Sequence, residues 1–257
     1  MIKIKNQNIS IFSYNVFWKV MDGIIDKSIS PINKFNVLKN ITNTINHYNP
    51  FIYCFQEAAN SNEIIKLFDP KEYSYHIGYS KPEYILTIWR HNIIKIIYIT
   101  DGEFEYGRPF TICVFQDKRY KIINYFMLIN IHASHEYNTE SIFIPIQNII
   151  DKIKLTLPIK RIIIVGDFNR DIGKELSILI NNKYYIKFNK NIFKFNGILT
   201  NNKTCCNIKG FGFTKNYDQI IDSYFSPILI HNLSYESWYK SKSSDHVAIL
   251  SIVKNII

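Results

Sequence analysis

Apolar residues recur along this chain with two periods, and the two separate its strands from its helices. Alternating runs, or runs of Ile, Val, Phe and Tyr between turn residues, predict strands near 8–16, 51–56, 84–90, 93–99, 110–116, 122–132, 161–167, 218–225 and 247–253. Spacings of three and four predict helices: Phe35, Leu38, Ile41 and Ile45 line one face of 33–48, and similar spacing returns in about 139–156 and in 173–181. Pro145 lies in the second of these and either sits near its first turn or marks its real start, because proline lacks the backbone donor that a helix interior needs. The stretch 189–217 is rich in Asn, Lys and Gly, shows little periodicity, and reads as a long surface or substrate-facing excursion. Its Lys209, Phe211, Phe213 and Lys215 are candidates for stacking on bases, while Gly210 and Gly212 suit tight turns. The whole pattern predicts an α/β fold in which two antiparallel-rich sheets pack face to face with helices outside. No repeat or linker divides the chain, so residues 1–257 are read as a single domain.

Composition narrows the class. Hydrophobic residues make up 47% and aromatics 15% of the chain, enough apolar surface to build a large core and too much for a disordered protein. No apolar run approaches the roughly 20 residues that span a bilayer, and the opening MIKIKNQNIS has no signal-peptide stretch. A protein with no membrane span, cytoplasmic or nuclear, is therefore expected. Cys54, Cys113, Cys205 and Cys206 lack the paired spacing of a zinc site or a disulfide scaffold and read as thiols without a role. The formal charge of +10 suits a polyanionic partner such as nucleic acid. The only arginines are Arg90, Arg108, Arg119, Arg161 and Arg170, and the abundance of Ile, Asn and Lys follows AT-rich codons, so part of that charge is compositional. No obligate protein partner is evident.

Several polar groups stand at the ends of apolar strands. Gly166-Asp167-Phe168-Asn169 follows the buried run 161–165 and delivers a carboxylate and an amide to a sheet rim, where Asp can take a proton from water and Asn can hold that water. An Asx turn closing a strand would look the same. Ser244-Asp245-His246 precedes the closing strand and pairs an imidazole that titrates near neutrality with a carboxylate. Gln56-Glu57 ends another strand and offers a hard oxygen ligand for Mg²⁺. Asn15 lies among Ile11, Phe12, Val16 and Phe17, where a buried amide needs partners. His132 ends the strand 122–132, and Asp218 opens another.

Taken in order, Asn15, Gln56-Glu57, His132, Gly166-Asp167-x-Asn169, Asp218 and Ser244-Asp245-His246 resemble the endonuclease/exonuclease/phosphatase superfamily, over positions 15 to 246. The resemblance implies a four-layered αββα sandwich of two mixed, mainly antiparallel sheets, a Mg²⁺ ion (or Mn²⁺ in its place) in the cleft between them, and hydrolysis of a phosphate ester by an activated water. Glu83-Tyr-Ile-Leu-Thr-Ile-Trp-Arg90 and Gly107-Arg108-Pro109-Phe110 further resemble the deoxyribonuclease I branch, with Glu83 supporting His132 and Arg108 contacting phosphate. Asn216-Tyr217-Asp218-Gln219-Ile220 departs from the inositol-phosphate 5-phosphatases, and the missing signal peptide departs from secreted deoxyribonucleases.

On this reading Glu57 and Asn15 hold the metal, Asp245 ligates a second ion or belongs to the water network, Asp167 manages the water and Asn169 fixes it. His132 and His246 donate to the phosphate or leaving oxygen, supported by Glu83 and Asp218 respectively. A nuclease or nucleic-acid end-processing enzyme is expected first. A phospholipid or small-molecule phosphodiesterase sharing the same motifs comes second, and a catalytically silent binding protein, which would normally have lost one of these residues, comes last.

Overall fold

The structure is a computed structural model that describes residues 8–23, 34–78, 83–120, 124–135, 139–171, 177–180, 183–188, 191–194, 205, 217–222, 228–232 and 244–253. In chain order its elements are β1 (Ile9–Asn15), α1 (Trp18–Met21), α2 (Lys34–Tyr48), β2 (Ile52–Gln56), α3 (Ser61–Ile65), β3 (Tyr73–Gly78), β4 (Ile85–Arg90) and β5 (Ile94–Phe104). A single 3-10 turn, Glu105–Gly107, leads to β6 (Arg108–Asp117), β7 (Tyr125–His132), α4 (Thr139–Lys154) and β8 (Ile159–Asp167). The rest are β9 (Ser177–Ile180), β10 (Lys183–Phe188), β11 (Asn191–Lys194), β12 (Asp218–Asp222), β13 (Ile228–Asn232) and β14 (Ile249–Val253).

Two large sheets form, with strand orders β13-β14-β1-β2-β4-β3 and β12-β8-β7-β6-β5, and a small β11-β10-β9 sheet stands apart. Strand periodicity sorts the apolar residues into three layers. Ile9 and Ile11 of β1, Ile52 and Cys54 of β2 and Trp89 of β4 meet Cys113, Phe115, Phe126, Leu128, Ile163 and Val165 of the other sheet. The opposite face of β1 and β2, with Phe12, Tyr14, Tyr53 and Phe55, is covered by Val37 and Ile41 of α2. Met127, Ile129, Ile131, Ile162 and Ile164 are covered by Ile146, Ile150 and Ile153 of α4. Helix, sheet, sheet, helix is the four-layered sandwich expected from the motif order.

The inward rows change character along their length. On β1 the row Ile9, Ile11 continues as Ser13 and Asn15; on β2, Ile52 and Cys54 continue as Gln56; on β7, Phe126 and Leu128 as Asn130 and His132; on β8, Ile163 and Val165 as Asp167. All of these polar residues are buried. Gln56 Nε2 donates to Asn130 Oδ1 at 2.7 Å and to Ser13 Oγ at 3.2 Å, while Asn130 Nδ2 donates to Leu86 O at 3.2 Å and to Thr87 Oγ1 at 3.2 Å. This network ties the sheets together where the apolar filling ends, since buried amides must find partners inside the protein.

Several expectations need correction. The segment 73–78 is an edge strand whose mixed exposure hid its period. Residues 177–180 are a strand, not the end of a helix, because they pair with β10. Residues 191–194, read as part of an excursion, form β11; of the remaining candidates there, Lys209, Gly210, Phe211, Gly212, Phe213 and Lys215 lie outside the described residues. Pro145 sits well inside α4 and is not its start. Cys54 and Cys113 are buried free thiols, but Cys205 is disulfide-bonded. Among the described residues no helix is long and apolar enough to cross a membrane.

Gly166 is the point at which this packing constrains the backbone most. Its φ is +137°, and a Cβ there would stand 2.1 Å from the carbonyl oxygen of Ile131 on the neighbouring strand. Gly166→Ala should cost about 2–4 kcal/mol, because both the torsion and the strand spacing must change. Urea denaturation checks this: a clearly lowered midpoint is expected, and an unchanged one would show that the strands can part freely.

Candidate active site

Parallel pairing brings the polar strand ends to one rim. β1 and β2 run parallel with Asn15 beside Gln56, and β7 and β8 run parallel with His132 beside Asp167. Antiparallel β12 sets Asp218 on the other side of Asp167. Glu57 stands one residue beyond β2 and Asn169 two residues beyond β8, and both adopt the left-handed conformation at φ 53°. That torsion costs a residue with a side chain about 1–3 kcal/mol and turns the chain sharply at the rim.

At the centre, the Asn15 amide nitrogen donates to Glu57 Oε1 at 3.1 Å and to Asp167 Oδ2 at 2.9 Å, joining carboxylates from opposite sheets. Its oxygen accepts from the Phe17 amide at 3.0 Å. Asn15 therefore bridges the two carboxylates, both of which belong to a group that could hold a metal ion. Glu57 Oε2 accepts from Trp18 N at 3.1 Å. Asp167 Oδ1 accepts from Asn169 N at 2.8 Å, while Asn169 Nδ2 donates to Ala133 O at 2.6 Å.

The two histidines stand in opposite electrostatic states. His246 Nδ1 lies 2.8 Å from Asp218 Oδ2, and its Nε2 lies 3.7 Å from Asp167 Oδ2 and 3.9 Å from Asp245 Oδ1. Burial opposes its charge, but Asp218, Asp245 and Asp167 outweigh burial and hold its pKa well above the ordinary value. Ser244 fixes the approach, donating from Oγ to Asn15 O at 2.8 Å and accepting from His246 N at 3.1 Å. His132 is pushed the other way, by burial first and then by Arg108, His246 and His135. Its Nε2 lies 2.8 Å from Arg108 Nη1, 3.4 Å from Glu57 Oε1 and 3.7 Å from Asp167 Oδ2.

Glu83 stands 3.4 Å from His132 Nδ1, but its closest partner is Arg108, to which it is ion-paired. The guanidinium shares the carboxylate with the imidazole, so Glu83 does not make His132 an imidazolium. Nor is Arg108 the exposed turn residue its Gly-Arg-Pro setting predicts: it opens β6, and its side chain is only 20% exposed.

Negative charge is crowded around this centre. Burial pushes the Glu57 carboxyl up to about 7, with Asp245 and Glu83 adding to the rise and His246 and Asn15 opposing it. Asp167, Asp245 and Glu83 are raised as well, again by burial first. Ligand atoms of Glu57, His132 and Asp167 lie within 4.8 Å of one another, as do those of Asp167, Asp218 and His246. The first group fits a divalent cation better. Its oxygens are hard donors with raised pKa values, and a bound cation would relieve their repulsion; His246 in the second group is already committed to Asp218 as a charged ring.

His135 and Arg170 went unnoticed in the sequence. Arg170 Nη2 donates to Ser134 O at 3.0 Å and His135 O at 3.4 Å, and the His135 ring stands against Tyr217 at 6.3 Å between centroids. Two signals pointed there: Arg170 directly follows Gly166-Asp167-Phe168-Asn169, and His135 lies three residues beyond His132.

The raised Glu57 carboxyl fixes the sign of a stability effect. Folded Glu57 titrates near 7 while its reference value is 4.5, so between those values the folded state holds a proton that the unfolded state has lost. In chelator, stability should therefore fall as pH rises from about 4.5 to 7 and stay lowered above it. Glu57→Gln removes that loss. At pH 8 in chelator the variant should be more stable than wild type by about 2–3 kcal/mol, with a flatter pH profile, as read from denaturant midpoints. A variant no more stable than wild type at pH 8 would contradict the charge assignment.

No known family profile matches the sequence, and no curated protein does. Solved structures do match in fold. An endonuclease/exonuclease/phosphatase from Bacteroides vulgatus is 15% identical, with 97% of this chain and 100% of that one covered at a TM-score of 0.69. The mannosyl-6-phosphatase Bt3783 of Bacteroides thetaiotaomicron is 15% identical, with 95% and 99% covered at 0.66. ANGEL2, a 2′,3′-cyclic phosphatase, is 14% identical, with 99% and 97% covered at 0.67. The chain therefore has the endonuclease/exonuclease/phosphatase fold.

Proposed function

We propose that this chain is a divalent-metal-dependent phosphodiesterase of that superfamily, and that its substrate is nucleic acid, cut internally or trimmed at an end. One observation carries the reading: Asp167 Oδ2 sits 3.7 Å from both His132 Nε2 and His246 Nε2, and accepts from Asn15 at 2.9 Å. A buried carboxylate with a raised pKa, flanked by a neutral and a charged imidazole, suits a displacement at phosphorus. The fold's likeness to a mannosyl-6-phosphatase and to a 2′,3′-cyclic phosphatase supports phosphate esters in general. The net charge of +10 favours the polyanionic member of that class.

Each group then has a task. Arg108 Nη1 and the neutral His132 hold non-bridging phosphoryl oxygens. Asp167 accepts a proton from the attacking water while Asn15 keeps the carboxylate aimed. The water oxygen bonds to phosphorus as the bond to the leaving oxygen breaks, and charged His246 gives its Nε2 proton to that leaving oxygen. Asp218 steadies the ring through Nδ1. A divalent ion bound by Glu57, with His132 and Asp167 beside it, would polarise a phosphoryl oxygen and stabilise the departing oxyanion.

The test is a substrate panel assayed with Mg²⁺, with Mn²⁺ and with chelator. It sets supercoiled plasmid, single-stranded DNA, RNA, an abasic duplex and a 2′,3′-cyclic nucleotide against sphingomyelin, an inositol phosphate and mannose 6-phosphate. Ion-dependent hydrolysis of a nucleic-acid substrate is expected, lost in large part in Glu57→Gln. His246→Ala and Asp167→Asn should each lower kcat by about 100-fold or more. Full activity in chelator would overturn the metal assignment, turnover of the lipid or sugar phosphates alone would overturn the substrate, and wild-type kcat in His246→Ala would remove it as the acid.

A further inference from the structure

Three successive backbone carbonyls beyond β7 are each held by a side chain from the loop after β8. Asn169 Nδ2 donates to Ala133 O at 2.6 Å, and Arg170 Nη2 donates to Ser134 O at 3.0 Å and His135 O at 3.4 Å. The same loop is fixed in turn, since the Phe168 amide donates to Tyr217 O at 2.9 Å and Gln219 Nε2 donates to Arg170 O at 3.3 Å. An ordinary surface turn has no such bracing, because ordering it costs entropy that its own contacts must repay.

The bracing carries one exposed side chain, His135. Its ring stands edge-on to Tyr217, at 63° between planes, and among the described residues no hydrogen bond reaches either ring nitrogen. The backbone sets it beside the site: His135 lies three residues beyond His132, and between them the Ala133 amide donates to Asp167 O at 2.8 Å. The His135 pKa is lowered by burial first, Asp167 opposes that shift, and Arg108, His246 and Arg170 add to it. Burial and these cations favour its neutral form, and its backbone is pinned to the segment that carries Asp167 and Arg170.

We infer that His135 is a substrate-contacting residue, a third imidazole that donates to a non-bridging oxygen of the bound phosphate. The inference rests on the phosphodiesterase reading. The choice of residue type follows from its neighbours: Arg108, His246 and Arg170 already supply positive charge, so a lysine or arginine at this position would be repelled in the empty site. An imidazole adds a donor without adding a charge. The spacing His132-Ala-Ser-His135 sets one imidazole inside the sandwich and one at its mouth.

His135→Ala and His135→Gln in the full chain test this, with Michaelis kinetics on whichever panel substrate wild type cleaves and competitive inhibition by inorganic phosphate. KM and the phosphate inhibition constant should both rise about 10-fold in His135→Ala, the scale of one hydrogen bond to a charged group, and less in His135→Gln, whose amide can still donate. The value of kcat should stay within about threefold, since the contact is made before and during the reaction alike. Unfolding midpoints should not move, because the side chain is exposed. Wild-type KM and phosphate inhibition in both variants would overturn the inference while leaving the phosphodiesterase reading intact, as would a loss confined to kcat. A wild-type chain that neither cleaves a phosphate ester nor is bound by phosphate would overturn both.

Discussion

The architecture turns on one shared amide. Asn15 reaches Glu57 on its own sheet and Asp167 on the facing one, so two buried carboxylates are held across the seam by a single side chain. Each would be costly to bury alone, and together they repel. The arrangement persists because the rest of the sandwich over-determines it. The apolar layer between the sheets sets their spacing, the Gln56–Asn130 hydrogen bond locks them just behind the site, and Gly166 lets β8 approach β7 closely enough to carry Asp167 to the rim. The inferred function exploits that stored repulsion, since a binding site for a cation is a place where negative charge has been assembled at a cost.

The two imidazoles divide the remaining work through their neighbours. His246 is surrounded by carboxylates and is charged; His132 is buried against Arg108 and is neutral. Residues of the same type thus acquire different protonation states from different surroundings, which is how acid and anion-binding roles are separated within one small site. The partner chosen decides it. Asp218 bonds His246 directly at 2.8 Å, whereas Glu83 is taken first by Arg108.

The sequence made the inward rows legible because the strand period carries them: Asn15 among aromatics and aliphatics, Asp167 after four β-branched residues, His132 at the end of an apolar run. Those rows put the candidate residues on the right face and at the right end. Pairings between distant segments were harder to see. Arg108 lies 24 residues from His132 and follows a glycine, so it looked like an exposed turn residue until β6 and β7 were seen side by side. The edge strand β3 and the short β9 and β11 escaped because half-exposed or very short strands leave little period to read. His135 and Arg170 escaped because a loop has no period at all, and their place in the site comes from hydrogen bonds to backbone carbonyls.

The central claim is that Glu57 and its neighbours are buried carboxylates held partly protonated until a divalent ion takes the proton's place. Titration calorimetry with Mn²⁺ at a series of pH values, each in two buffers of different ionisation enthalpy, measures that exchange directly. With the Glu57 carboxyl near 7 and Asp167 and Asp245 also raised, ion binding should release protons, more of them as pH falls from 8 toward 6, and Glu57→Gln should abolish most of the binding. Ion binding at pH 6 without proton release would mean that these carboxylates are already charged in the empty site, binding unaltered by Glu57→Gln would mean that Glu57 does not hold the ion, and either result would contradict the account of how this seam is built.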